Sequence, residues 1–267
     1  MKFIYSILIL SIILAGCQGE NNKKQDEAKD NNNAQKEQKT GQKPEIVPIQ
    51  HATFFMKWGD KNIYVDPVGG KQAFEKFPSP DMVLITDIHG DHLSVETLKS
   101  IGQDYRIIAP EAVYDKLPES HKALTTVMKN NERKTLDGFS INAIPMYNTS
   151  KSRKQYHVKG RGNGYKIIHD NFSLYISGDT DVTKEMLALK NIDHALLCMN
   201  LPYTMDYKHA AKGVLKFQPD VVTPYHYRGK KDGATYYENV EAFEEEVKSV
   251  TDKIDVQLME WYPNKSS

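Results

Sequence analysis

The amino-acid sequence predicts an α/β fold for residues 45–267, and three observations carry this prediction. Short apolar runs such as Met82–Ile85 and Ala195–Met199 have the composition of buried strands. Segments with a helical spacing of apolar residues follow several of these runs, as at residues 206–217. Roughly 220 residues remain after the polar N-terminal region, which is enough for one domain with a substantial core.

Residues 1–17 have the pattern of a signal peptide. Lys2 precedes the apolar stretch Phe3–Ala15, which is too short to span a bilayer. The segment Leu14–Cys17 resembles the lipobox of bacterial lipoproteins, and this resemblance implies cleavage before Cys17 and lipid on its sulfur. A plain secretory signal and a short anchor helix are the alternatives. We expect a lipoprotein of the bacterial cell envelope, attached to the membrane through the lipid alone, on the periplasmic or cell-surface side.

Residues 18–44 are predicted to form a disordered tether. They are almost wholly Asn, Gln, Lys, Glu and Asp, and their aliphatic side chains are limited to Ala28 and Ala34. Such a segment buries too little apolar surface to offset the entropy cost of ordering. A flexible coil of this kind reaches on the order of 30 Å.

Composition excludes some classes of function. The formal net charge is zero, so no basic excess indicates binding to nucleic acid. The chain has two cysteines, and because Cys17 is assigned to the lipobox, Cys198 has no partner for an intrachain disulfide. Its apolar neighbours predict a buried core residue rather than a nucleophile.

The first half of the domain is predicted to contain mostly strands. Strands are expected at residues 46–49, 51–57, 62–66, 82–85, 106–109 and 124–128, with a turn at 58–61. Ser94 is a plausible N-cap for a helix that extends to about Ile101, and Pro110 marks the start of a second helix.

The second half repeats the pattern of strands followed by helices. Strands are expected at 140–148, 164–168, 172–177, 193–197, 221–227 and 254–259, and helices near 184–187, at 206–217 and at 235–250, with a loop at 229–233.

The strongest chemical signal is the segment Thr86–His92, between the strand that ends at Ile85 and the helix that begins near Ser94. It contains Asp87, His89, Asp91 and His92, together with Gly90, which is expected to let the backbone turn. Imidazole and carboxylate are the ligands that zinc and its divalent neighbours prefer. A polar loop at a helix entry is the alternative, but the density of ligand types favours a metal site.

This segment resembles the His-x-His-x-Asp-His motif of the metallo-β-lactamase fold superfamily, with Asp87 in the position of the first His. Further matches extend over residues 45–262, and the most similar branch includes ascorbate-lactonase-like and phospholipase-D-like members. The resemblance implies a four-layer αββα sandwich with its ligands on loops along one edge.

The resemblance also implies a set of site residues. Two divalent metal ions are expected, with zinc favoured and Mn²⁺ or Fe²⁺ as alternatives because oxygen donors replace imidazoles. The implied metal ligands are Asp87, His89, Asp91, His92, Asp179 as the bridging carboxylate, and His226, with either Asn148 or His157 completing the first site. Asp91 and Asp179 are the implied catalytic carboxylates.

Residues around these ligands are assigned secondary roles. His51 and Asp66 match positions that support the ligands or contact substrate, although a hairpin His and a turn Asp are equally compatible with the sequence. Asp181 is expected to cap the helix near Lys184. The candidate substrate contacts are Tyr203, Tyr225, Tyr227, Arg228 and Lys159.

The function that follows from the resemblance is metal-dependent hydrolysis. A metal-bound hydroxide would attack a phosphodiester, an ester or a lactone in a small-molecule substrate. The alternative is a non-catalytic or weakly active binding lipoprotein on a degenerate hydrolase scaffold, since Asp87 and Asn148 depart from the usual ligands. Cleavage of β-lactams is a weaker hypothesis, because a shared fold does not determine the substrate.

Overall fold

The computed structural model describes residues 41–263. The predicted signal peptide with Cys17, and residues 18–40 of the predicted tether, lie outside the described residues. No helix among the residues described is long and apolar enough to cross a bilayer.

The first half of the described chain forms a six-stranded sheet in which the strands follow their order in the sequence. Its strands are β1 (Glu45–Gln50), β2 (Thr53–Trp58), β3 (Lys61–Val65), β4 (Met82–Leu84), β5 (Arg106–Ala109) and β6 (Thr125–Val127). Strands β1 to β3 pair antiparallel, and β3 to β6 pair parallel.

The second half forms a seven-stranded sheet. Its strands are β7 (Arg133–Leu136), β8 (Phe139–Met146), β9 (Gly162–His169), β10 (Phe172–Ile176), β11 (His194–Cys198), β12 (Val221–Tyr225) and, after a separate hairpin, β15 (Asp255–Val256). The sheet order is β15-β12-β11-β10-β9-β8-β7. Strands β7 to β10 are antiparallel and the remaining pairs are parallel, so the pattern of the first sheet recurs.

Helices cover the outer faces of the two sheets. They are a 3₁₀ helix (Lys71–Phe74), α1 (Val95–Ser100), α2 (Glu111–Tyr114), α3 (Glu119–Lys122), α4 (Lys184–Leu187), α5 (Tyr207–Phe217) and α6 (Val240–Lys248). The Ser94 side chain accepts a hydrogen bond from the Thr97 N–H, as predicted for the N-cap of α1. Asp206 and Asn239 cap α5 and α6 in the same way.

Successive residues in the strands of the first sheet face opposite sides of the sheet, and this alternation explains the four layers. Phe54, Met56 and Leu84 point into the core between the two sheets, whereas their neighbours Phe55 and Val83 point outward. The outward residues pack with apolar residues that include Leu98 of α1 and Val113 of α2. Buried residues of α4, α5 and α6 belong to the same apolar cluster as residues of the second sheet. The αββα sandwich is therefore confirmed.

Several element boundaries differ from the prediction. The predicted loop at 229–233 and the predicted helix start at Thr235 are wrong, because β13 (Arg228–Lys231) and β14 (Ala234–Tyr237) form a hairpin and α6 begins at Val240. Thr235, Tyr236 and Tyr237 are β-branched or aromatic residues, which favour an extended strand. Strand β7 was not predicted, and the last strand is shorter than expected.

The glycine in the Thr86–His92 segment is not needed for the backbone conformation. Gly90 does not have a positive φ, and a Cβ there would meet no atom within 4 Å. Gly178 is the glycine that the site requires, since its φ is +59° and a Cβ would lie 2.4 Å from the Met146 sulfur.

Burial of His194 at the start of β11 predicts a loss of stability in acid. Burial, followed by the charge of Lys43, lowers its pKa from 6.5 to about 4. Nε2 lies 2.8 Å from the Thr223 hydroxyl. Because the unfolded chain takes up the proton more readily, the stabilising contribution is present above pH 6.5 and is lost as the pH falls to about 4.

We expect His194→Gln to reduce the fall in the free energy of unfolding between pH 7 and pH 4 by roughly 3 kcal/mol. Denaturant unfolding of metal-free wild type and variant measures this difference. The exposed His209, which pairs with Asp206 on α5, provides the control substitution. Equal pH dependence of wild type and His194→Gln would contradict the assignment.

Candidate metal centre

The predicted ligands meet at one edge of the sandwich, where several strands end. The segment Asp87–His92 follows β4, Asp179 follows β10, and His226 follows β12. In sheets with parallel strands and helices on their faces, the carboxyl ends of the strands form the usual ligand-binding edge. The fold therefore brings together residues that are far apart in the sequence.

Three residues at this edge have left-handed backbone conformations. His51, Asp66 and His226 have φ values of 53°, 45° and 49°. For residues other than glycine this conformation costs about 1–3 kcal/mol, and such residues concentrate at functional sites. Each lies at a strand end, where the turn directs its side chain towards the cluster.

The most buried group of possible ligands consists of His92, Asp179 and His226. Each is at most 2% exposed. His92 Nε2 and His226 Nε2 are 3.1 Å apart, and they lie 3.4 and 3.3 Å from the two Asp179 oxygens. Two imidazole nitrogens and a carboxylate that converge in this way match the donor set of a divalent transition metal.

Asp66 fixes the orientation of His92. The Asp66 carboxylate accepts hydrogen bonds from the Thr86 N–H at 2.7 Å and the Thr86 hydroxyl at 2.6 Å. Its Oδ2 lies 2.8 Å from His92 Nδ1. A carboxylate at this distance orients the ring through the Nδ1 proton and turns Nε2 into the group, where a metal ion would take the place of a proton on Nε2.

Asn200 plays the corresponding part for His226. Its side-chain amide nitrogen lies 3.0 Å from His226 Nδ1. If His226 Nε2 binds a metal, Nδ1 carries the proton and the Asn200 oxygen must accept it. In that state the amide is turned over, so that its oxygen rather than its nitrogen faces Nδ1. The sequence prediction did not include Asn200.

Asp91 lies at the exposed side of this group. Its Oδ2 is 3.5 Å from His226 Nε2 and 3.3 Å from His51 Nε2, and its side chain is 40% exposed. His51 is oriented by the Tyr262 hydroxyl, which lies 2.7 Å from Nδ1. His51, Asp91 and His226 thus form a second set of ligand atoms within 4.8 Å of one another.

A further group consists of Asp87, His89 and His157. Their ligand atoms also lie within 4.8 Å of one another. His89 Nδ1 is 3.0 Å from Asp87 Oδ2, and His157 Nε2 is 3.9 Å from the same oxygen. His157 Nε2 is also 3.2 Å from Asp179, so the two groups adjoin.

Of the two alternatives for this group, the structure brings His157 rather than Asn148 to the cluster. The Asn148 amide nitrogen lies 3.2 Å from His157 Nδ1 and donates to the backbone oxygens of Arg153 and Tyr203. Its backbone N–H also donates to the His157 oxygen. Asn148 therefore stabilises the loop that carries His157 through hydrogen bonds.

Arg161 was not assigned a role from the sequence, although it is directed at this group. Its Nε and Nη2 donate to the two Asp87 oxygens at 3.0 and 2.8 Å. Nη2 also lies 3.3 Å from His89 Nε2 and donates to the Tyr156 oxygen. An arginine next to a loop glycine does not form a motif that indicates a metal or catalytic site, so the sequence contained no signal for this contact.

The Asp87 and Asp179 carboxylates are held ionised. Burial raises the pKa of Asp87, but hydrogen bonds from His89 and Arg161 outweigh this effect and lower the pKa to about 2. Burial also raises the pKa of Asp179, but the charges of His226 and His92 outweigh it and hold this pKa well below the usual range. Ionised carboxylates are the form that binds metal ions.

Two cavities open beside these residues. One of about 280 Å³ is lined by His89, Asp91, Tyr156, His157, Asp179, Asn200 and Tyr203. Another of about 400 Å³ is lined by His51, Tyr203, Arg228, Gly229, Lys230, Thr235 and Tyr237. Tyr203 lines both cavities, in agreement with its predicted place beside the site.

Three other predicted substrate contacts are placed differently. Tyr225 is fully buried and its hydroxyl accepts from the Gly178 N–H, so the predicted contact with substrate is wrong. Tyr227 is also buried and packs edge-on against Tyr262. Lys159 pairs with Glu185 at 2.7 Å, so its charge is compensated by a carboxylate.

The helix cap predicted at Asp181 is also wrong, because Thr183 caps α4. Asp181 instead accepts from the Thr149 and Ser150 N–H groups and holds the loop after β8. Cys198 is fully buried, as predicted, and burial raises its pKa to about 12.

Comparisons with known proteins agree with this architecture. Residues 45–226 match the family model described as a beta-lactamase superfamily domain. A UPF0173 metal-dependent hydrolase from Pyrococcus abyssi is 34% identical over 190 residues, which cover 67% of this chain and 82% of the relative.

Solved structures give the same result. A Parabacteroides distasonis protein described as a metal-dependent hydrolase has a TM-score of 0.72 and 34% identity, with 84% of this chain and 96% of that chain covered. A metallo hydrolase from Ignicoccus hospitalis shares the fold, with a TM-score of 0.66 and 23% identity over 81% of this chain and 94% of its own.

Proposed function

Since the chain belongs to the beta-lactamase superfamily and to its UPF0173 metal-dependent hydrolases, we propose that it hydrolyses an anionic phosphodiester, ester or lactone at the group His92, Asp179 and His226. The observation that carries the proposal is the convergence of His92 Nε2 and His226 Nε2, 3.1 Å apart, on the buried Asp179 carboxylate.

A divalent metal ion would satisfy the polar atoms of this group better than their contacts with one another do. Two imidazole nitrogens face each other, and the Oδ1 atom of the buried Asp179 accepts no hydrogen bond from the described residues, although His226 Nε2 lies 3.3 Å from it. A buried, unpaired carboxylate oxygen is costly unless a cation satisfies it. When bound, a divalent ion lowers the pKa of water and polarises the bond to be cleaved.

Asp91 is placed to orient the attacking water. Unlike Asp179, it has a partly exposed side chain, and it lines the cavity of about 280 Å³ that reaches the group. His51, with its pKa lowered to about 3 by burial and then by His226, remains neutral near pH 7. It can hold the Asp91 carboxylate by a hydrogen bond without adding a positive charge.

The neighbouring cavity supports a substrate with a negative charge. Arg228 and Lys230 line it together with His51, which contacts Asp91. Within residues 41–263, neither cation forms an ion pair with an acidic side chain at 4.0 Å or less. Two uncompensated cations in a cleft attract anionic ligands and raise their local concentration.

The test is turnover of a panel of generic phosphodiesters, which are anionic, with phosphotriesters as their neutral counterparts, and of esters and lactones with and without a carboxylate substituent. We expect at least one anionic compound to be hydrolysed, and a chelator to abolish the reaction. Lys230→Glu should lower kcat/KM for that compound by about tenfold and leave neutral compounds unchanged. The matched control is Lys231→Glu, since Lys231 lies over the Tyr236 ring and does not line this cavity.

Each outcome separates a different hypothesis. Hydrolysis of neutral compounds alone would overturn the anionic substrate class. Metal-loaded protein that hydrolyses no member of the panel would favour the alternative function, a binding protein on a hydrolase scaffold.

A further inference from the structure

Arg161 occupies the position beside Asp87 where a cation is needed. Its guanidinium makes two parallel hydrogen bonds to the two Asp87 oxygens, at 3.0 and 2.8 Å. This paired geometry is the strongest form of arginine–carboxylate contact, and a guanidinium does not lose its proton in proteins. Asp87 is fully buried, so the pair is shielded from solvent.

The same guanidinium engages the second possible ligand of this group. Arg161 Nη2 lies 3.3 Å from His89 Nε2, and His89 Nδ1 faces the Asp87 carboxylate at 3.0 Å. Both nitrogens of the His89 ring therefore already face a partner. A metal ion bound by Asp87 and His89 would have to displace the guanidinium or remain beside its charge.

The backbone around Arg161 holds it close to the site. Gly160 has a φ of +93°, and a Cβ on Gly162 would lie 2.2 Å from the Met146 methyl carbon and 2.9 Å from the Thr86 oxygen. The loop thus packs directly against the Thr86 backbone. The Tyr156 oxygen, which accepts from Nη2, anchors the side chain from the other direction.

The group that contains Asp179 differs in this respect. Among the residues described, the ionisable nitrogens within 4.0 Å of Asp91 and Asp179 all belong to histidines, whose charge depends on protonation. Two carboxylates there lack a fixed positive charge, whereas Asp87 has one. The electrostatics of the two groups therefore favour a metal ion at only one of them.

We propose that Arg161 replaces a metal ion at the Asp87, His89 and His157 group, so that the protein binds one divalent ion, at His92, Asp179 and His226. The inference rests on the proposed function in one respect, because both place a metal ion at His92, Asp179 and His226, but its test needs no substrate. Arg161 acts as a positioning residue and supplies a permanent positive charge beside the bound ion. The expectation of two metal ions is accordingly replaced by one.

The experiment measures metal content per chain by plasma mass spectrometry after equilibration with Zn²⁺ alone, and in parallel with Co²⁺ alone, whose absorption spectrum reports occupied sites. Wild type is expected to hold one ion and Arg161→Met two. Removing a charge a few Å from the site should strengthen binding of the added ion by at least about 100-fold. Adding Asp87→Ala to Arg161→Met should return the content to one.

The matched control is Arg153→Met. Arg153 also forms a partly buried pair with an aspartate, Asp181 at 3.2 Å, outside the three ligand groups. It should retain one ion. His89→Ala in the wild-type background should also retain one ion, which tests the inference without changing Arg161.

Other results would overturn the inference. Two ions in the wild type, one ion in a folded Arg161→Met variant, or loss of the ion from His89→Ala would each contradict it. No bound ion in the wild type under either metal would overturn the proposed function as well, so the two failures are distinguishable.

Discussion

Replacing His226 by alanine is expected to abolish metal binding and turnover together. The side chain is fully buried, and its Nε2 lies 3.1 Å from His92 Nε2 and 3.3 Å from Asp179. Loss of a residue that only orients a ligand usually costs 10–100-fold in metal affinity, so loss of a ligand should cost more than about 100-fold. Titration calorimetry with Zn²⁺ and the kcat/KM of the hydrolysed compound measure the two effects.

His209→Ala is the matched histidine control for this experiment. His209 lies exposed on α5 and pairs with Asp206 at 3.0 Å. It should bind metal and turn over substrate as the wild type does. Metal affinity within a fewfold of wild type in His226→Ala would contradict the assignment of the site.

The second large effect is expected for Asp66→Ala. This fully buried carboxylate accepts from the Thr86 N–H and hydroxyl and faces His92 Nδ1 at 2.8 Å. Its removal leaves buried donors unpaired and the His92 tautomer undefined. We expect a loss of about 3 kcal/mol or more in the free energy of unfolding and a 10–100-fold loss of metal affinity.

A second buried aspartate separates the two contributions. Asp181 accepts from the Thr149 and Ser150 N–H groups, and among the described residues its side chain forms no hydrogen bond or ion pair with a member of the ligand groups. Asp181→Ala should destabilise the fold and leave metal affinity unchanged. If Asp66→Ala lost stability but kept wild-type affinity for Zn²⁺, Asp66 would be a structural residue only.

Most of the framework could be predicted because it depends on local patterns. Alternating apolar residues such as Phe54 and Met56 identify a strand and the face that it buries. Ser94 was recognisable as a helix cap because capping needs only the side chain and the next turn. The predictions failed at 235–239, where β-branched and aromatic residues form a hairpin strand before the helix begins.

Side-chain roles were less predictable than elements. Tyr225 and Tyr227 flank His226 in the sequence, yet the strand and turn bury both. Asp181 looked like a helix cap until Thr183 was found in that position. Sequence distance does not report which way a side chain points at a strand end.

The sequence by itself determined an α/β class, the ligand types and the position of the Asp87–His92 segment, because these depend on periodicity and on spacing within one loop. The four-layer αββα arrangement was implied by the resemblance to a known family. The tertiary structure decided what depends on distance through space. It placed His157 rather than Asn148 in the cluster, and it directed Arg161 at Asp87 across 74 residues of chain. Charge balance between such distant residues exists only after folding, and here it distinguishes one metal group from the other.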